Sequence, residues 1–147
     1  MIGARGERSC GQSLVEFSLV SFILFIVVLG LLEISRMVLV YAAVADAARA
    51  GVRYAIVHGS DRTAGAGVNN AAGPGANPAQ VLTVVKDFAG VGPLKTSKLV
   101  ITVTYPGSSN APGQLVSVTV VYPYDPLARW FPLLVNLGST SEGVIVF

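Results

Sequence analysis

In the stretch GQSLVEFSLV, from Gly11 to Val20, one carboxylate, Glu16, stands immediately before a run from Phe17 to Leu32 that carries no charge. An ionised group inside a bilayer costs on the order of several kcal/mol, so such an acid needs a cationic partner or an interfacial position. The rest of the chemical inventory is thin. His58 is the only histidine, and at a helix end before a glycine-rich stretch it reads as a solvated loop residue rather than a base. Cys10 is the one cysteine, so no intramolecular disulfide forms. A stray leader thiol fits it better than a reactive one, and lipoprotein-type acylation would need the apolar run to precede it. Asp61, Asp87 and Asp125 lie too far apart in sequence for a carboxylate cage. GAGVNN lacks the strand–helix context and the lysine of a phosphate loop. Trp130 with Phe131 reads as core or as a surface anchor. These residue types predict no catalytic, cofactor-binding or metal site, and no enzyme.

The balance of residues points elsewhere. Hydrophobic residues make up 52% of the chain and charged ones 12%, and the apolar excess falls in the first third. The net charge of +2 is scattered, without a basic stripe interleaved with aromatics, so no nucleic-acid partner is expected.

The elements that must position Glu16 begin with a short polar leader, residues 1–11, in which Arg5 and Arg8 outnumber Glu7 and mark the cytoplasmic side. With Ser13 to Val15, the uncharged run approaches the roughly 20 residues that cross a bilayer. The helical signal continues past it. From Glu33 to Val57 there is no proline, and YAAVADAARAGVRYA is rich in alanine, the best helix former. Ile34, Met37, Tyr41, Val44, Ala48, Val52 and Ile56 predict one apolar stripe, with Asp46, Arg49 and Arg53 on another face and Asp46 spaced to pair with Arg49. A continuous helix from about Ser13 to Val57 would measure roughly 65 Å, about twice the hydrocarbon thickness, so its second half needs cover in water.

Residues 58–77 read as a glycine-rich loop. Beyond it, 78–147 predict a small extracytoplasmic α+β domain. Asn77 and Pro78 open a short helix that Gly90 closes. KLVITVTY and LVSVTVVY alternate as strands, and PGSSNAPGQ between them makes an antiparallel hairpin. PYDPLARWFP is read as irregular and EGVIVF as a last strand. No internal repeat is visible. A one-sided sheet and a helix with one apolar stripe cover each other, so the expected fold is α+β: a long N-terminal helix packed on a small antiparallel sheet.

The front of the chain resembles the cleavage site of type IV prepilins, in which a basic leader ends in glycine and glutamate takes the fifth mature position before phenylalanine. The matching residues are Gly11, Gln12, Glu16 and Phe17. The stretch RMVLVYAAVADAARAGVRYA resembles the TadE-like family of the tight-adherence (Flp) pilus machinery, through Glu33, Ala48, Arg49, Gly51, Arg53, Tyr54 and Ala55, together with Glu16. The resemblance covers the first 57 residues or so. It implies a pilin-like fold, no cofactor, and a minor subunit, or pseudopilin, of a pilus assembly and secretion apparatus. Its partners would be a prepilin peptidase, other pilin or pseudopilin subunits, the inner-membrane assembly platform and membrane lipid. The implied location is the bacterial inner membrane, single-pass, with the leader cytoplasmic. Some relatives carry cysteines in the outer domain, and none is present here.

Two alternatives compete. A signal-anchored envelope protein without a filament role explains the apolar helix but neither Glu16 nor Gly11. A secreted protein cut near Ala43-Val44-Ala45 has suitable small residues, but Glu33 and Arg36 intervene and the run exceeds a usual signal core.

Overall fold

The computed structural model describes residues 7–59, 78–127 and 135–146. Its elements are α1 (Glu7–Val57), α2 (Ala79–Gly90), a single 3-10 turn (Thr96–Lys98), β1 (Val100–Thr104), β2 (Leu115–Tyr124) and β3 (Val135–Val144). Arg5 of the expected leader, residues 60–77 of the expected glycine-rich loop with Asp61 and Asn77, Trp130 with Phe131, and Phe147 lie outside the described residues. The chain divides into two compact units between Arg36 and Met37. It is an α+β protein whose long helix packs, by its second half, on a three-stranded antiparallel sheet.

In the first unit α1 is apolar all round. Leu14, Phe17, Phe22, Leu24, Phe25 and Leu29 are all exposed, and none of the most apolar window is buried. A helix hydrophobic on every side is at ease only in an apolar environment. By length and composition α1 is fit to cross a membrane. It begins at Glu7 rather than near Ser13. No proline interrupts 7–12, and the propensity cost of Gly11, about 1 kcal/mol, does not stop a helix already running.

In the second unit, the buried face of α1 is Val40, Val44, Ala47, Ala48, Gly51, Val52 and Ala55. This corrects the expected stripe, because Tyr41 is exposed and Ala47, Gly51 and Ala55 turn inward. Ile34, also in that stripe, is exposed in the first unit. The reason is the closeness of the neighbours. A helix covered on two sides needs a wide inward face of small residues rather than a narrow stripe of large ones. Helix α2 supplies one neighbour with Val81, Val85 and Ala89, spaced four residues apart. It starts after Pro78, whose missing N–H would have had no helical partner in any case.

The sheet supplies the other neighbour. Its order is β1-β2-β3, with Val103 opposite Val118 and Val118 opposite Ser141. Ile101 and Val103 of β1, with Tyr105 just beyond it, and Val116, Val118, Val120 and Tyr122 of β2 form its buried face, as the alternation predicts. Two expectations need correction. Strand β2 continues through Pro123 and Tyr124 into the segment read as irregular. Pairing with β1 ends at Val121, so Pro123 lies where β2 has a partner on one side only and a missing donor is tolerated. The last strand is Val135–Val144, beginning well before EGVIVF. Its end matters for α1: the Val146 N–H donates to the carbonyl of Ile56 at 2.9 Å, filling one of the acceptors that a helix C-terminus leaves open.

Candidate assembly helix and processing site

Gly11 and Gln12 lie inside α1, exposed, and a Cβ placed on Gly11 would meet nothing within 4 Å. Glu16 and Phe17 follow on the same bare helix, with Phe17 73% exposed. The hydroxyls in this unit are treated differently from the acid. Ser18 donates to the Val15 carbonyl and Ser35 to that of Leu31, both at 2.8 Å, so these polar groups are satisfied without water. Glu16 has no such bond among the described residues. Towards the far end of the unit, Glu33 and Arg36 are half-buried, and each is engaged with another group.

In the second unit the motif residues split between surface and core. Arg49 donates to Asp46 at 2.8 Å, the pair expected from their spacing, and both side chains are more than half exposed. Arg53 is exposed, with no ion pair among the described residues. Gly51 points the other way. A Cβ there would stand 2.6 Å from Cγ2 of Val85, 3.1 Å from Cγ1 of Val118 and 3.5 Å from Cγ1 of Val81. Gly51 is therefore a close contact between α1, α2 and the sheet, and its missing side chain is what leaves room for Val85 and Val118. Gly143 does the same from β3, where a Cβ would lie 2.7 Å from Val52 and 2.8 Å from Ile56.

Tyr54 stacks on His58, with ring centroids 3.9 Å apart and planes 14° from parallel. Nδ1 of His58 is 2.9 Å from the Tyr54 carbonyl, so a protonated Nδ1 donates there. Rather than being a solvated loop residue, His58 is half-buried and closes the last turn of α1. The i, i+4 spacing of an aromatic and a histidine at a helix end was the available signal. Among the described residues no group of three or more His, Cys, Asp or Glu could hold a metal ion.

The architecture so far is that of a class: proteins with one long apolar N-terminal helix whose later turns form the core of a small α+β unit. Residues 11–53 match the model of the family described as TadE-like protein. Over that segment the chain is similar to the TadE-like family; the match spans less than a third of its length. The match lies wholly within α1 and contains Gly11, Gln12, Glu16, Phe17, Glu33, Arg49, Gly51 and Arg53, with Tyr54 one residue beyond it. No curated protein and no solved structure matches the chain.

Proposed function

We propose that this protein is a pilin-like minor subunit, or pseudopilin, of a bacterial tight-adherence (Flp-type) pilus assembly and secretion apparatus. A prepilin peptidase cuts it between Gly11 and Gln12, and it assembles through its N-terminal helix. One observation carries the reading: the TadE-like segment opens at Gly11 and holds Glu16 at the fifth position after it.

The helix is seated in the inner membrane with the leader in the cytoplasm, because the arginines precede the apolar run. The part beyond Val57 is then extracytoplasmic and meets other subunits and the assembly platform there. Since the first turns of α1 are helical through Gly11, the peptidase must unwind them. A helix end frays readily, and glycine lowers the cost of doing so.

Cleavage also resolves the problem of the acid. It frees a positive α-amine at Gln12, one turn from Glu16 on the same helix face. That amine, or the one on a neighbouring subunit, balances the carboxylate as helices pack side by side in lipid. A hydrated place among the headgroups is the competing explanation. The two separate on substitution. Glu16→Leu should insert and be cleaved normally yet be absent from the assembled structure, and Glu16→Asp should assemble in part. Assembly of the leucine variant at the parental level would remove the registering role.

A further inference from the structure

We propose that one rim of the second unit rests on the membrane surface, with Val91 among the lipid headgroups and Lys86 and Lys95 over anionic lipid. Val91 follows α2 and is 92% exposed, while Phe88, three residues earlier, is 49% exposed. Neither stands on a loose segment. The N–H of Val91 bonds to the Phe88 carbonyl at 3.3 Å and that of Gly92 to Ala89 at 3.2 Å. Leu94, just beyond, is buried in the core. The turn is also held against α1, for a Cβ on Gly92 would lie 3.8 Å from that of Ala43.

Ala43 is one helical turn from Leu39 on the same face, and Leu39 is 65% exposed. Apolar side chains from two elements thus emerge together at the end of the unit where α1 enters it. In sequence this end follows Leu32, the last residue of the uncharged run, by about two helical turns. Lys86 and Lys95 flank the turn and are exposed; Asp87 is the acidic residue among them, and Lys98 is engaged with Asp125.

A few apolar side chains on a fixed turn, edged by lysines, suit a headgroup layer, into which single side chains insert while ammonium groups stay at the phosphates. A stable protein partner would require roughly 800 Å² of packed surface on this side, far more than Val91, Leu39 and the exposed half of Phe88 offer.

The proposal rests on the reading that α1 spans the membrane, and the test separates the two. In the full chain carrying Cys10→Ser, a single environment-sensitive fluorophore is attached at Val27→Cys, Val91→Cys or Thr83→Cys. The protein is reconstituted into vesicles of phosphatidylcholine and phosphatidylglycerol containing lipid-borne quenchers. Quenching at positions 27 and 91, but not at 83, is expected. The signal at 91 should fall at least twofold when Lys86 and Lys95 are both replaced by Glu. A label at 91 that stays in water while 27 is quenched overturns the rim contact alone, and water at 27 overturns the spanning reading. Shielding at 91 that depends on protein concentration and not on the quencher would assign the patch to a second copy and overturn the lipid contact.

Discussion

Gly51 on α1 faces Val85 on α2 so closely that a methyl group added to the glycine would stand 2.6 Å from Cγ2 of the valine. Val85 is fully buried and its β-branched side chain is stiff, so it cannot swing aside cheaply. Gly51→Ala gains about 1 kcal/mol of helix propensity, but overpacking a tight core costs about 1–3 kcal/mol. A net loss of up to about 2 kcal/mol is expected in denaturant unfolding. Val85→Ala alone should also destabilise, whereas the double variant should lose less than the sum, because each change relieves the other. Strict additivity would show that the contact is not the cause.

Arg49 is held by Asp46 at the surface, a pair worth only about 0.5 kcal/mol. Arg49→Ala should therefore leave the amount of protein unchanged. If its guanidinium meets acidic groups on the next subunit or the platform, the assembled fraction falls all the same. Asp46→Ala, which removes the intrahelical partner and keeps the cation, should assemble normally. A parallel fall in level and assembly for Arg49→Ala would point to folding instead.

Tyr105 is buried beside the first strand, and burial pushes its phenol up to about 12. Its ordinary value is about 10, so between the two the unfolded chain has lost a proton that the folded chain keeps. The contribution is fully present below about pH 10 and is lost as the pH rises to about 12. Tyr105→Phe should flatten this alkaline decline between about pH 10 and about pH 12. An alkaline limb as steep in the variant as in the parent would show that other groups govern it.

Strand β2 is legible in the chain itself, since Val116, Val118, Val120 and Tyr122 alternate with period two and all are buried. Strand β3 is not. Its inward positions include Ser139, Ser141 and Gly143, and Gly143 is small because Val52 and Ile56 of α1 press on it. Close packing erased the apolar alternation that reveals a strand. The same cause hid the true inward face of α1, where Ala47, Gly51 and Ala55 count for more than the larger Tyr41. Pro123 misled because a proline argues against a strand unless one side is unpaired, which only the register reveals. At the candidate site, the Asp46–Arg49 pair followed from spacing alone. The packing role of Gly51 did not, since its partners lie on α2 and β2, far away in sequence.

The mature N-terminus tests the central claim most directly. Protein recovered from membranes of the parent should begin at Gln12, by terminal sequencing or intact mass, and Gly11→Leu should leave the precursor uncut because the new side chain clashes at the scissile bond. A parent chain that keeps its leader would support a plain membrane anchor, and one beginning near Asp46 a secreted protein. Either result, or an unchanged Gln12 terminus in the Gly11→Leu variant, would contradict the prepilin-type account.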